Sequence, residues 1–431
     1  MLTKGLRIGE NGHLFIEDCD TVELAKEYGT PLYVMNESLI RENCKRYKSF
    51  FAENFNATSF PCYASKALSC LEIYRIMKDE GMGVDVVSGG ELYTALNAGF
   101  PAEKIFFHGN NKTEAELRMA IKYGVGRIIV DNLTELEVLN SLAEEANVNV
   151  NIGFRIKPGI DAHTHDYIRT GQIDSKFGFA LENGEAKEAV KRALEYNNVT
   201  LCQVHCHIGS QIFDTQPFAD AVKVMLTFVS EIKNEFGYMI NELNLGGGLG
   251  AKYTDADSPL EIEEYLAPVA EAFHTTCKEL NLVEPAFHIE PGRSIVGESG
   301  TTLYTIGNVK EIKDVRTYVS VDGGMCDNIR YALYKAEYTV LNASKSEGNV
   351  LKNVTIAGKC CESGDLLQEG VDLIDPQHGD ILAVLTTGAY NYSMASNYNR
   401  ILRPAMVMVN NGRSRVVIQR ESYADLLNND I

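Results

Sequence analysis

The strongest constraint on the fold of this chain is an eightfold alternation of short β-rich runs and longer amphipathic stretches. The β-rich runs occupy residues 60–64, 84–87, 104–107, 127–130, 148–155, 199–207, 242–245 and 286–290. The helical patterns between them include residues 114–123, 133–145 and 218–236. Eight successive strand–helix units are typical of a (β/α)8 barrel of parallel strands. An open doubly wound sheet is the alternative, but it gathers ligand groups at one switch point rather than at most strand ends.

Beyond residue 300 the alternation stops. Residues 302–306, 318–321, 338–341, 354–357, 381–385, 405–409 and 415–419 have strand-like patterns, and no long helical pattern separates most of them. Residues 13–17 and 32–35 near the N-terminus are strand-like as well. We therefore predict a (β/α)8 barrel over residues 37–300. We expect residues 1–36 and 301–431 to form a mostly antiparallel β domain that completes the active site.

Charge and composition exclude several classes of protein. The 431 residues include 40 Lys and Arg against 59 Asp and Glu, for a net charge of −19. An acidic surface repels phosphate backbones, which argues against nucleic-acid binding. No signal peptide is evident and no apolar run approaches the ~18 residues of a membrane helix. The ten cysteines are scattered without a Cys-x-x-Cys motif. We expect a cytoplasmic protein with reduced thiols and no membrane partner.

Residues that could carry chemistry follow the predicted strands. Functional groups of a parallel barrel gather at the carboxyl ends of its strands. Lys66 directly follows the first run, and we predict that it ends that strand. An amine at the edge of an apolar wall is poorly solvated as a cation and can form a Schiff base with an aldehyde. The later runs end in other polar residues, namely Asp85, His108, Asp131, Arg155, His205, His207 and Glu290.

The last two strands end in groups suited to a phosphorylated aromatic cofactor. Backbone N–H groups of the run Gly246–Gly250 could cradle a phosphate, although most glycine runs are simple turns. Glu290 could pair with a pyridine nitrogen and make the ring an electron sink, or form an ion pair with Arg293. In the sixth run, His205 and His207 share one face of the predicted strand. They could be metal ligands or a structural pair, or one of the two imidazoles could lie flat against a planar ring.

Six motifs in order resemble the alanine-racemase-like, fold-type-III decarboxylases that use pyridoxal 5'-phosphate (PLP). The motifs are Tyr63-Ala-Ser-Lys66, His205-Cys-His-Ile-Gly-Ser-Gln211, Gly246-Gly-Gly248, Glu290-Pro-Gly-Arg293, Cys361-Glu-Ser-Gly-Asp365 and Gly388-Ala-Tyr390. The resemblance extends over nearly the whole chain, from Gly29-Thr-Pro-Leu-Tyr33 to Arg403-Pro404. Each motif is modest alone, but their common order makes the similarity specific.

The resemblance implies roles that spacing does not give. It implies that Lys66 and Cys361 are catalytic, as the cofactor-binding amine and the proton donor. It assigns the cofactor to Lys66, His207, Ser210, Gly248, Glu290, Pro291, Gly292, Arg293 and Tyr390. It assigns the substrate to Arg293, Arg330, Tyr334, Glu362 and Tyr390, with no metal. It also implies a homodimer in which the Cys361 segment serves the partner's active site. The residues alone do not distinguish Cys361 from Cys360.

Within this family, Arg330 with Tyr334, and Glu362 after Cys361, favour a substrate with a second amino-acid head. The implied reaction is decarboxylation of meso-2,6-diaminopimelate to L-lysine and CO2, the last step of lysine biosynthesis. A decarboxylase of ornithine, arginine or carboxynorspermidine is the alternative. A racemase would need a second acid–base group, which is not evident. A non-enzymatic relative would not need both Lys66 and Cys361, and a metal-dependent hydrolase using His205 and His207 stays open.

Overall fold

The computed structural model describes residues 2, 4–160 and 175–431. The chain divides into two compact units. One, here called the barrel unit, comprises Asn43–Gly250 and Pro259–Ser294. The other, the β unit, comprises Met1–Glu42, Ala251–Ser258 and Ile295–Ile431. The short segment Ala251–Ser258 therefore groups with the β unit, although it lies inside the range predicted for the barrel. No helix among the described residues is long and apolar enough to cross a membrane.

The barrel unit is a closed ring of eight parallel strands, which confirms the predicted fold class. In chain order, barrel strands 1 to 8 are Phe60–Ala64, Gly83–Val86, Ile105–Phe107, Arg127–Val130, Val150–Lys157, Val199–His205, Glu242–Asn244 and Ala286–Ile289. Strand 8 pairs with strand 1, with His288 opposite Phe60, and this pairing closes the ring. The open-sheet alternative is therefore wrong. A short ninth strand, Phe179–Ala180, pairs in parallel with strand 5.

The helices of the barrel unit begin and end at residues that local chemistry favours. Helix Glu114–Tyr123 begins at a capping box of Thr113 and Glu116 and ends at Gly124, whose φ of 67° is left-handed. The helices that alternate with the strands are Glu37–Asn54, Leu71–Asp79, Gly89–Asn97, Glu114–Tyr123, Leu133–Glu145, Glu185–Glu195, Gln216–Phe236 and Ile262–Glu279. The boundary between the two units falls within the first of these helices.

The β unit contains a nine-stranded, mostly antiparallel sheet, as predicted. Seven strands lie side by side in the order Leu366–Ile374, Leu351–Ala357, Arg316–Val321, Gly300–Ile312, Leu32–Asn36, Ala405–Asn410 and Arg413–Ile418. The other two, Ile381–Leu385 and Val340–Asn342, pair with each other, and the first also pairs with Gly300–Ile312. The N-terminal strand Leu32–Asn36 thus joins this sheet. Its parallel neighbour is Ala405–Asn410.

Two smaller features complete the β unit. The predicted strand at residues 13–17 becomes Leu14–Ile16, which forms its own three-stranded sheet with Leu6–Ile8 and Cys19–Asp20. Its buried residues pack with Leu32 and Val407 in one apolar core. Helix Thr21–Tyr28 follows, with Asp20 as its N-cap. Helices Arg293–Val296 and Arg330–Tyr334 are short. Single 3-10 turns lie at Tyr392–Met394, Tyr398–Arg400 and Asp425–Leu427 in the β unit, and at Ser65–Ala67 and Ala102–Lys104 in the barrel unit.

Candidate active site

The carboxylate of Glu290 lies at the centre of a buried polar cluster at the carboxyl ends of the barrel strands. Its Oε1 is 2.7 Å from His108 Nε2 and 2.8 Å from Asn244 Nδ2, and its Oε2 is 3.1 Å from His205 Nε2. All four side chains are buried. Strands 6 and 7 and the residues that directly follow strands 3 and 8 therefore supply one buried polar cluster.

Electrostatics keep this cluster anionic. Burial alone would raise the pKa of Glu290, but His108 and His205 attract its charge and hold the pKa well below its usual range. Burial lowers the pKa of His205 to about 4, and it lowers the pKa of His108 as well, against the attraction of Glu290. The low pKa of His205 leaves its imidazole neutral near pH 7, with Nε2 within hydrogen-bond distance of Glu290 Oε2. The cluster offers a fixed negative charge at the barrel mouth.

Lys66 lies in the turn after strand 1 and is not held against the predicted apolar wall. The structure places it in the 3-10 turn Ser65–Ala67 rather than at the end of strand 1, and its side chain is exposed. The same turn is tied to strand 2, because the Ser65 N–H donates to Asp85 Oδ1 at 3.2 Å. Burial and the charge of Glu290 raise the pKa of Asp85, whereas the Lys66 ammonium opposes that rise. The charges of Lys66 and Glu290 therefore have opposite effects on the pKa of the same carboxyl group, that of Asp85.

The glycine loop after strand 7 is closely packed. A side chain at Gly247 would place its Cβ 2.2 Å from the Glu290 carbonyl oxygen. A Cβ at Gly248 would lie 2.8 Å from the Gly209 carbonyl oxygen, and the φ of Gly248 is 137°. The N–H groups of Gly247 and Gly248 donate to no other residue in the described part of the chain. This backbone fits an anion such as a phosphate, which would accept the free donors.

The two remaining barrel motifs meet next to this loop. Arg293 Nη2 donates to Ser210 Oγ at 2.9 Å, and Arg293 is buried while Ser210 is half-buried. Gly292 passes so close to strand 1 that its Cβ would lie 2.9 Å from that of Ala64. His207 is half-buried, and burial together with the Lys66 charge lowers the pKa of its imidazole. The imidazole of His207 is thus neutral and suited to lie against an aromatic ring.

In the β unit, Arg330 is buried among tyrosines. Its Nη1 donates to Tyr253 OH at 2.9 Å and to Tyr338 OH at 3.2 Å. Its Cζ lies 5.8 Å from the ring centre of Tyr390, whose backbone has a left-handed φ of 66°. Among the described residues, Arg330 forms no ion pair with a carboxylate. A buried guanidinium without a counter-charge can pair with the carboxylate of a ligand.

The second group of β-unit residues lies on the loop between strands Leu351–Ala357 and Leu366–Ile374. Cys361 is exposed, whereas the other nine cysteines, Cys360 among them, are buried. The Cys361 N–H donates to Asn399 Oδ1 at 2.7 Å, which anchors the loop next to the thiol. Glu362 is exposed. The structure therefore separates the two neighbouring cysteines by exposure, which sequence reasoning did not do.

The predicted residues thus fall into three groups. The barrel mouth brings together the cofactor candidates Lys66, His207, Ser210, Gly248, Glu290, Pro291, Gly292 and Arg293. The β unit brings Arg330 and Tyr390 together and carries Cys361 and Glu362 on a separate loop. Tyr334, half-buried, ends the one-turn helix that begins at Arg330.

Sequence reasoning missed several partners of these residues. It did not foresee that His108, His205 and Asn244 converge on Glu290, or that Tyr253 and Tyr338 hold Arg330. Polar residues at strand ends were a usable signal for His108 and Asn244. No sequence signal marks Tyr253 or Tyr338 among the 21 tyrosines.

The candidate metal-ligand group among the described residues differs from the predicted pair of histidines. Among the described residues, His108, His205 and Glu290 could offer ligand atoms within 4.8 Å of one another, whereas His207 is not in that group. Those three side chains already engage one another directly. Among the described residues, His205 and His207 do not belong to one such group of three.

Comparison with known proteins agrees with this geometry. A family model for the pyridoxal-binding domain of pyridoxal-dependent decarboxylases matches residues 37–297. The chain is 49% identical over 425 residues to diaminopimelate decarboxylase of Bacillus subtilis (strain 168), covering 99% of this chain and 97% of the relative. It is 51% identical over 415 residues to the Bacillus methanolicus enzyme of that name, covering 96% of each.

A solved structure extends the similarity to three dimensions. Diaminopimelate decarboxylase from M. jannaschii, crystallised in co-complex with L-lysine, superposes with a TM-score of 0.93 at 40% identity, covering 100% of this chain and 99% of that one. The barrel, the sheet and the residues at the barrel mouth define a pyridoxal-dependent decarboxylase. At these levels of identity over nearly the full length, the chain belongs to the diaminopimelate decarboxylase family.

Proposed function

We propose that this chain decarboxylates meso-2,6-diaminopimelate to L-lysine and CO2, with PLP as cofactor, as the last step of lysine biosynthesis. One observation carries the choice of substrate. Arg330 is a buried cation whose Nε and Nη2 have no partner among the described residues. Diaminopimelate keeps a carboxylate at the end that does not react, and that group would complete the pairing of Arg330. Ornithine has no such second carboxylate.

The barrel mouth would hold the cofactor. When bound, PLP supplies a conjugated, protonated ring that accepts the electron pair left by departing CO2. In our proposal Lys66 binds the aldehyde through its amine, and the ionised Glu290 keeps the pyridine nitrogen protonated. His207 lies against the ring. The N–H groups of Gly247 and Gly248, with Ser210 and the segment from Pro291 to Arg293, bind the phosphate, together with Tyr390.

The remaining residues would bind the substrate and move a proton. Arg293, Arg330, Tyr334, Glu362 and Tyr390 are our candidates for substrate contacts, with Glu362 facing the distal ammonium. The exposed thiol of Cys361 is our candidate for the group that protonates the carbon that loses CO2. Fixed positions for these groups avoid much of the entropic cost of the reaction.

We further propose a cytoplasmic homodimer in which the Cys361 segment of one subunit serves the active site of its partner. This proposal rests on the family resemblance. It predicts that a mixture of Lys66→Ala and Cys361→Ala proteins, each inactive alone, regains activity when dissociated and reassociated. Sedimentation of the unmodified protein as a monomer at assay concentration would contradict it.

The test of the reaction is direct. Purified protein loaded with PLP is incubated with meso-diaminopimelate, ornithine or L-lysine, and CO2 and the amine products are measured. We expect L-lysine and CO2 from diaminopimelate and little turnover of the other two. Lys66→Ala should abolish turnover and remove the absorbance change caused by borohydride. Comparable turnover of ornithine and diaminopimelate would overturn the assignment of substrate.

A further inference from the structure

Two tyrosines outside the assigned residue set control the orientation of Arg330. We propose that Tyr253 and Tyr338 are positioning residues that set specificity for a ligand carboxylate, by fixing the guanidinium with its Nε–Nη2 edge turned towards the ligand. The inference rests on the proposed function in one respect, because it takes Arg330 as the receptor for the distal carboxylate. It adds the residues that make this receptor selective.

The hydrogen bonds of Arg330 leave one edge of the guanidinium unused. Nη1 carries two hydrogens, and it donates to Tyr253 OH at 2.9 Å and Tyr338 OH at 3.2 Å. Nε and Nη2 make no hydrogen bond to any other described residue. Both atoms also keep some exposure to solvent. The Nε–Nη2 edge is one that carboxylates bind bidentately, and no described residue accepts a hydrogen bond from it.

Hydrogen bonds anchor the backbone at both tyrosines. The Tyr338 N–H donates to Gln368 Oε1 at 2.7 Å, and the Thr339 N–H donates to the Tyr253 carbonyl oxygen at 2.9 Å. The N–H of Tyr253 donates to Asp257 Oδ2 at 3.0 Å. The two rings contact each other edge to face, with centres 5.3 Å apart and planes at 77°. The hydroxyls are therefore fixed points, and the guanidinium takes its orientation from them.

The two tyrosines also stabilise the positive charge of Arg330 and do not neutralise it. The Arg330 Cζ lies 5.2 Å from the ring centre of Tyr253 and 5.9 Å from that of Tyr338. Aromatic faces stabilise a cation through the ring quadrupole and leave its full charge available. A carboxylate side chain in place of the tyrosines would instead occupy the Nε–Nη2 edge of Arg330. This arrangement favours a ligand with a carboxylate over one that has only an amine at the same end.

The test uses single and double phenylalanine variants of the PLP-loaded enzyme. Tyr253→Phe and Tyr338→Phe remove only the hydroxyls. Tyr331→Phe is the matched control, since Tyr331 follows Arg330 on the same short helix and its hydroxyl donates to Glu369 at 2.8 Å. We measure kcat and KM for meso-diaminopimelate, inhibition constants for L-lysine and for cadaverine, which lacks a carboxylate, and the thermal midpoint.

We expect each phenylalanine variant to raise KM for diaminopimelate and the inhibition constant for L-lysine about tenfold, since one hydrogen bond to a charged group is lost. The kcat, the inhibition constant for cadaverine and the control variant should change little. Equal weakening of L-lysine and cadaverine, or no change for either, would overturn the inference. Arg330→Met separates the two proposals. If it leaves discrimination between L-lysine and cadaverine intact, the substrate assignment of Arg330 itself fails.

Discussion

Asp365 Oδ2 accepts a hydrogen bond from the backbone N–H of Cys360 at 2.6 Å. The other oxygen of the same buried carboxylate accepts from the Met325 N–H, also at 2.6 Å. One side chain therefore joins the loop that carries Cys361 to the loop that precedes Arg330. Gly324 and Gly358 make room for it, because a Cβ at either position would lie within 2.6 Å of a carboxylate oxygen.

We predict that Asp365→Asn weakens both loops. An asparagine keeps one acceptor oxygen and turns an NH2 group towards a second N–H, which leaves a buried donor unpaired. The expected loss is about 2 kcal/mol of unfolding free energy, with lower kcat and higher KM for diaminopimelate. Urea unfolding and steady-state kinetics measure these effects. Asp372→Asn, at an exposed position on the following strand, is the control and should match the unmodified protein.

Cys361 should be the first thiol to react with iodoacetamide in the native protein. It is the exposed cysteine, while Cys360 is buried and burial, together with Asp365, raises the pKa of the Cys360 thiol. Peptide mapping by mass spectrometry should therefore find the fast modification at Cys361. Cys361→Ser should remove the fast phase and Cys360→Ser should retain it. Equal labelling of both positions at early times would contradict the difference in exposure.

Glu290→Gln should impair catalysis far more than folding. The substitution removes the fixed negative charge that His108, His205 and Asn244 orient. We expect kcat to fall by about 10²-fold, the size typical for loss of one preorganised electrostatic group. The control is Glu242→Gln on strand 7, a partly buried carboxylate paired with Arg127. It should lower the urea midpoint and leave kcat close to normal. A similar kcat for both variants would argue against the role of Glu290.

Asp327 should make stability fall as pH rises through neutrality. Burial raises the pKa of its carboxyl to about 7 against hydrogen bonds from Tyr304 and the Gly324 N–H. The unfolded carboxyl has a pKa near ~3.9, so between about pH 4 and pH 7 the native state binds more protons and stability decreases with increasing pH. Asp327→Asn should flatten this slope. Urea unfolding at pH 5 and pH 7.5 measures it, and an identical slope in both proteins would contradict the pKa.

Local patterns predicted much of the fold because many elements are bounded by short-range chemistry. Helix Glu114–Tyr123 and strand Arg127–Val130 match their predicted ranges to the residue, with Thr113 and Gly124 marking the helix ends. Strand Leu366–Ile374 was missed. Polar residues and Gly370 interrupt its apolar pattern, and it is stabilised by pairing with Leu351–Ala357 rather than by its own composition.

Strand limits at the active site depended on contacts that sequence does not display. The prediction extended strand 6 to His207, but the strand ends at His205 and the chain turns there towards the glycine at position 209, whose φ is 155°. Lys66 likewise lies beyond strand 1. In both cases the strand limit depends on pairing with neighbouring strands that are distant in the chain.

The amino-acid sequence by itself determined the order of strands and helices, the chemical types of the residues after each strand, and the family to which they belong. Those properties depend on local periodicity and on residue identity, which a linear chain displays directly. Only the tertiary structure decided that His108, His205 and Asn244 meet at Glu290, that Tyr253 and Tyr338 hold Arg330, and that Cys361 rather than Cys360 reaches solvent. These facts arise from ring closure and from packing between distant segments, which fix distances and burial that no local pattern encodes.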